Sequence, residues 1–266
     1  GVSDIYPQNA DFTFYGGLYR DVNFIEVKDA HFDLLLDGTD AVFVTPHNVG
    51  KTRVDLFPVN AEGATVCITL KDAEGNVVGE AETAAADHAH VLIDVKNPHL
   101  WNGLADPYLY TCEASLKLGE EITDTVVVSY GYRSFRVDAE TGFYLNGKSL
   151  PLHGVARHQD RLDKGWAISK ADHEEDIALI KELGANTVRL AHYQHDQYFY
   201  DLCDEKGLVI WAEIPYISKH MPGGRENTIS QMKELIVQNY NHASIFVWGL
   251  SNEISIGGSD EDLLEN

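Results

Sequence analysis

The residues best suited to chemistry in this sequence are Asn252 and Glu253, which end the run Ile245-Phe246-Val247-Trp248-Gly249-Leu250-Ser251. A carboxylate in such a place can act as general acid or base once its surroundings tune its proton affinity. Upstream, His158, Arg189, His192, Trp211 and Glu213 lie at or near the ends of similar short runs. His, Asn and Arg hydrogen-bond to hydroxyls, and Trp faces, here Trp211 and Trp248, suit the apolar faces of sugar rings. Glu213 reads as an orienting partner for Arg189 or Arg157. His192 and His195 are three residues apart, but His195 is expected to open the next helix rather than hold a metal. The acids of His173-Glu174-Glu175-Asp176 read as first-turn residues complementing a helix dipole.

These residues must be positioned by the elements around them. From about Phe143 the sequence alternates strand and helix. The predicted strands are Leu150 to Val155, Asn186 to Leu190, Leu208 to Ala212 and Ile245 to Leu250. Between them, Ser169 and Asp172 form a capping pair before a helix with Ile177, Ile180 and Leu183 inward and Gly184 as its stop. A second helix carries Tyr198, Phe199, Leu202 and Cys203 and closes at Gly207. A third, from about Thr228 to Tyr240, presents Ile229, Met232, Leu235 and Ile236. Alternating β and α with short connections implies parallel strands whose C-terminal ends share one mouth. Four such units make the first half of a (β/α)8 TIM barrel, with Arg157, His158 and Asp160 after its first strand.

The first half of the chain reads as all-β. Phe32 to Leu36, Thr65 to Leu70, Ala89 to Val95 and Leu109 to Leu116 mostly alternate apolar and polar residues, with turn signals such as Asp72-Ala73-Glu74-Gly75-Asn76 between them. That pattern predicts an immunoglobulin-like β-sandwich. The fold class expected is therefore multidomain β plus α/β, divided at residues 1–30, 31–136 and 137–266.

A formal net charge of −22 disfavours nucleic acid as a partner. No apolar run reaches the ~18 residues that suggest a membrane span. The three cysteines, Cys67, Cys112 and Cys203, are too scattered for a disulfide framework and read as buried thiols of a reducing, cytoplasmic compartment. An open half-barrel edge favours association, so a homo-oligomer is expected.

Two long segments resemble the signatures of glycoside hydrolase family 2. Asn186-Thr187-Val188-Arg189-Leu190-Ala191-His192-Tyr193, running on to Cys203-Asp204 and Gly207-Leu208-Val209-Ile210-Trp211, is similar to the first. Asn241-His242-Ala243-Ser244, continuing through Ile245 to Glu253, resembles the second, acid/base signature. Gly154 to His158 is similar to the family's first barrel strand, and Phe14 to Val22 to the stretch closing its N-terminal sugar-binding jelly roll. Among members, Arg157-His158-Gln159-Asp160 and Arg189 to Tyr193 look most like bacterial β-galactosidases. The resemblance implies a bacterial retaining β-galactosidase with Glu253 as acid/base beside Trp248. It also implies Asn252, His192, His158 and Arg189 around the sugar, and a nucleophile from the seventh strand, so that this chain alone would be inactive. β-Glucuronidase, β-mannosidase and a non-catalytic carbohydrate-binding or scaffold module are the alternatives. No cofactor is indicated. Many β-galactosidases bind Mg2+ through a Glu and a His just past the third strand, and here Ile217 stands where that Glu would be, with His220 close by.

Overall fold

A computed structural model describes residues 10–47, 50–218 and 222–254. The sandwich pairs a three-stranded sheet (Val42–Pro46, Lys51–Leu56, Ala89–Asp94) with a four-stranded one, ordered Val77–Ala84, Thr65–Lys71, Tyr110–Leu118, Glu121–Tyr130. All ladders are antiparallel. Thr65–Lys71 and Tyr110–Leu118 alternate buried and less buried positions, as expected of strands with one face on a core. Val54, Val66, Ile68, Leu70, Cys112, Ala114 and Leu116 fill that core.

Some expectations fail here. Of the first predicted run, Phe32 to Leu36, only Phe32 is strand, within His31–Phe32. The Asp33 carboxylate accepts the Leu35 N–H at 2.9 Å, turning the chain and leaving Leu35 92% exposed. Cys67 is only half-buried, with its thiol 3.7 Å from Glu82 Oε1. Residues 10–30 form no strand and run as an extended strap.

A small antiparallel sheet, Phe135–Asp138, Gly142–Leu145 and Lys148–Ser149, joins the two halves. Phe143 and Leu145 pack with Trp101, Val209 and Ala243, and Leu150 and Leu152 join them instead of extending the next strand.

The second half has four parallel strands in sequential order: β1 (Gly154–Arg157), β2 (Thr187–Leu190), β3 (Val209–Glu213) and β4 (Ile245–Gly249). Three helices connect them: α1 (Lys170–Glu182), α2 (Gln197–Lys206) and α3 (Arg225–Gln238). The α1 cap forms as read, with the Asp172 carboxylate accepting from Ser169 N at 2.7 Å and Ser169 Oγ at 2.8 Å. Asp196 caps α2 through Tyr198 N at 2.9 Å. Gly184 and Gly207 end α1 and α2 at φ +78° and +77°, a left-handed conformation natural to glycine. Ile177, Ile180, Phe199, Leu202, Cys203 and Leu235 seal the helices onto the sheet. Leu183 follows the last turn of α1 and is 74% exposed, while Ile229 in the first turn of α3 is 58% exposed, so neither joins the core. No helix among the described residues is long and apolar enough to cross a membrane.

Candidate active site

Strand register decides which side chains meet. Ala156, Arg189, Trp211 and Val247 form one cross-strand row, and Arg157, Leu190, Ala212 and Trp248 the next. Leu190, Ala212 and Trp248 pack into the helix-side core. Side chains alternate along a strand, so Arg189 and Trp211 face the opposite, inner surface, as does Glu213 two residues beyond Trp211. Gly249 stands opposite Glu213. A Cβ there would lie 2.4 Å from Trp211 Nε1 and 2.6 Å from Glu213 Cγ, so glycine makes room for both.

Glu213 is 1% exposed. Its carboxylate accepts from Arg189 Nε, from Arg189 Nη2 at 3.2 Å and from His192 Nδ1 at 2.9 Å. The same Nη2 donates to Asn252 Oδ1 at 2.7 Å. His192 Nδ1 also lies 3.1 Å from Arg189 Nη2, a donor whose hydrogens go to Glu213 and Asn252. The shorter contact, to a carboxylate that only accepts, places the His192 hydrogen on Nδ1 and the ring's lone pair on Nε2. With Oδ1 occupied, the Asn252 amide is oriented with its N–H donors on the other side. The backbone fixes it further: Asn252 N donates to Tyr216 O at 2.9 Å and Ser218 N to Asn252 O at 3.0 Å.

His158 lies edge-on to His192, with centroids 5.3 Å apart. Burial, then the neighbouring His192, lowers its proton affinity, which keeps it neutral at pH 7. The strap brings Phe12 onto both: its ring lies 5.0 Å from His158, 5.4 Å from Tyr193 and 6.2 Å from His192. Sequence reasoning missed Phe12, because no periodicity ties an extended segment to a rim over a hundred residues away.

Three expected roles change. Trp248 faces the helices, on the opposite side of the sheet from Glu213, so it does not line this pocket. Trp211 lies on the inner face but beneath the Glu213 layer, 41% exposed, with the Arg189 guanidinium 5.6 Å over its ring. Glu253 is exposed at φ +56° between buried Asn252 and Ile254. Among the described residues it is therefore open rather than packed beside Trp248.

Arg157 also leaves the mouth. Its Nε and Nη2 donate to Asp176 Oδ2 at 2.9 and 2.6 Å, Nη1 to His195 Nδ1 at 3.0 Å and Nη2 to His173 Nδ1 at 3.0 Å. Arginine only donates, so both histidines carry their hydrogen on Nε2, and that of His195 reaches Ala191 O at 3.1 Å. Burial, reinforced by the Arg157 charge, lowers the proton affinity of both, His173 to about 4. His173 and Asp176 are thus structural partners of Arg157, and Asp176 does more than complement a helix dipole.

Ile217 is 3% exposed and bridges to Asn252, and an apolar side chain there does not fit a metal. His220 lies outside the described residues. Among the described residues no group of three or more His, Cys, Asp or Glu could hold a metal ion.

Comparison with known proteins extends these observations. Residues 39–133 match the profile of glycosyl hydrolases family 2, and residues 136–265 match that family's TIM barrel domain. A β-glucuronidase of Bacteroides fragilis is 37% identical over 97% of this chain and 40% of its own length. A β-galactosidase of Thermoanaerobacter pseudethanolicus is 30% identical over 97% of this chain and 35% of its own. The crystal structure of an FMN-binding β-glucuronidase from Faecalibacterium prausnitzii L2-6 superposes with a TM-score of 0.94 at 45% identity, covering 100% of this chain and 42% of that one. The chain spans roughly two fifths of the length of such relatives. Two matched domains in sequence order, carried on a sandwich and parallel β/α units, identify it: the chain belongs to glycoside hydrolase family 2.

Proposed function

We propose that the protein containing this chain hydrolyses terminal β-linked glucuronides by retaining double displacement. The observation supporting the glycone is the 45% identity over the whole chain to a β-glucuronidase of known structure, against 36% over 86% of the chain to a putative β-galactosidase of known structure. The galactoside expectation leaned on Arg189 to Tyr193 and on Arg157-His158-Gln159-Asp160. The latter segment discriminates poorly, since the Arg157 guanidinium is spent on Asp176 and two histidines and cannot read a sugar.

In this reading Glu253 protonates the leaving oxygen and then activates water. Asn252, its Oδ1 held by Arg189, offers amide hydrogens to a sugar hydroxyl, and His192 accepts through Nε2. Glu213 keeps Arg189 and His192 in place. With Arg189 and His192 on its oxygens it is not the nucleophile. That carboxylate, needed ~5–5.5 Å from the acid, comes from the remainder of the barrel, so this chain alone turns nothing over.

The test compares 4-nitrophenyl β-D-glucuronide with the β-D-galactoside on the full-length protein, wild type and Glu253→Gln. The glucuronide should be preferred, and Glu253→Gln should lose roughly 10²–10⁴ in rate, the span expected for a positioned acid. A galactoside preference sinks the glycone assignment, and an unimpaired Glu253→Gln sinks the acid.

A further inference from the structure

Beside the pocket just described, on the outer side of Tyr193, lies a second cavity of about 270 Å³. Its walls are Tyr19 and Arg20 from the strap, Trp166 from the β1–α1 loop, Tyr193 after β2, Pro215 after β3 and Gln231 on α3. We propose that this cavity binds a planar aromatic ring carrying an N–H or O–H donor, such as a phenol, an indole or a lactam.

The walls come first. Trp166 packs at 4.7 Å on Tyr193 and at 5.4 Å, edge-on, on Tyr19, so three rings surround one space. Aromatic rings prefer offset or edge-to-face neighbours, and a flat ligand ring can supply another. The strap wall is fastened, not draped. Arg20 Nη2 donates to Gln194 O at 2.9 Å. Tyr15 sits against Gly165, where an added Cβ would lie 2.7 Å from its ring and the backbone is left-handed at φ +56°.

The polar requirement is more selective. Gln231 Oε1 is buried with no hydrogen-bond partner. A buried acceptor left unsatisfied is costly and rare, and a donor delivered by a ligand would satisfy it. Other polar groups lining it have partners: Arg20 Nη2 donates to Gln194 O, Gln194 Nε2 to Gln238 Oε1 at 2.8 Å, and Glu234 Oε1 accepts from Ser230 Oγ at 2.8 Å. A sugar ring would bury several hydroxyls against few free partners, whereas a flat ring with one donor leaves nothing unpaired. The volume, near the small end of ligand pockets at ~300 Å³, accommodates one or two fused rings. The Tyr193 hydroxyl is turned the other way, towards Gln159 N at 3.0 Å and His158. The two pockets therefore share a wall but not a ligand, and this site stands whether or not the glycosidase proposal does.

7-Hydroxycoumarin is a suitable probe, and 7-methoxycoumarin is its counterpart without a donor. Fluorescence anisotropy with the full-length protein should give a Kd on the order of 0.1–1 mM, the range for a dozen heavy atoms. Trp166→Ala and Gln231→Leu should each weaken binding at least about tenfold. Gln231→Leu should leave the ligand-free melting temperature unchanged or higher, because an orphaned acceptor has gone. It should also bind the methoxy compound as well as wild type does. Glucaro-1,4-lactone, a glucuronide mimic, should not displace the probe. No binding at millimolar concentration, equal binding by wild type and both variants, no preference of wild type for the hydroxyl compound, or displacement by the lactone each overturns the proposal.

Discussion

The Arg189–Glu213 pair offers a test of how the inner face is held, because its two halves are buried unequally. The Glu213 side chain is 1% exposed and that of Arg189 33%. Arg189→Met would strand a carboxylate in the interior with only the His192 Nδ1 hydrogen left to it. Breaking a buried pair from one side costs ~3–5 kcal/mol, and water reaching the vacated Arg189 position sets the expectation at about 3 kcal/mol. Glu213→Gln leaves a guanidinium that can turn to solvent, and His192 can change tautomer to accept from the new amide. It should cost only ~1–2 kcal/mol, the worth of charge assistance. The double variant should cost at least ~1 kcal/mol less than the sum of the singles, because the stranded charge disappears. Urea unfolding followed by tryptophan fluorescence measures all three, with Trp166, Trp211 and Trp248 reporting from the barrel half. If Glu213→Gln proves as costly as Arg189→Met, or the two effects simply add, the inner-face argument is wrong.

Two further outcomes follow from close contacts and burial elsewhere. Gly207→Ala should lower the melting temperature by about 5 °C or more, since the new Cβ would lie 2.3 Å from Gly103 C and O at φ +77° and a clash with strain costs ~2–4 kcal/mol. A melting temperature within about 2 °C of wild type would mean the sandwich and barrel part freely there. His173, held to about 4 in the fold against 6.5 free, binds fewer protons folded than unfolded across that window. Its contribution is intact above pH 6.5 and is lost as pH falls towards 4, by ~3 kcal/mol. Urea unfolding at several pH values should show His173→Gln with a flatter acid limb than wild type, and parallel curves would refute the assignment.

Much of the architecture was legible because it rests on local chemistry. The Ser169–Asp172 cap, the Gly184 and Gly207 stops and the last three of the four short apolar runs each follow from a residue's own conformational preference, whereas the strand expected at Leu150 to Val155 lies instead at Gly154–Arg157. The sandwich was readable from alternation, except at Asp33, where a side-chain hydrogen bond turned the chain after two strand residues. The glycone was not legible, because the motifs that signal the family also hold its scaffold. Asp204 lies within the first signature, yet it accepts from His242 Nδ1 at 2.7 Å and Ser244 N at 2.8 Å, which fastens the segment entering β4 to α2. Phe12 and Gln231 were invisible for a different reason. They reach their pockets through tertiary approach, and no spacing in the chain encodes it.

The two arginines at adjacent strand ends show why motif membership alone misplaced side chains. Arg157 ends β1 and Arg189 is the penultimate residue of β2, so both read as mouth residues. Their register partners differ: Arg157 stands opposite Leu190, whereas Arg189 stands opposite Ala156 and Trp211. One step along a strand exchanges faces, so the first guanidinium enters the helix layer to meet Asp176 and the second meets Glu213 inside. The same parity separates Trp248, beside Ala212, from Trp211, beside Val247. Assigning sites in parallel β/α units therefore requires counting each candidate's parity against the apolar row that must face the helices. Val188, Leu190, Ile210 and Ala212 supply that row here. Counted against it, Arg189, Trp211 and Glu213 fall inside while Trp248 and Arg157 fall outside.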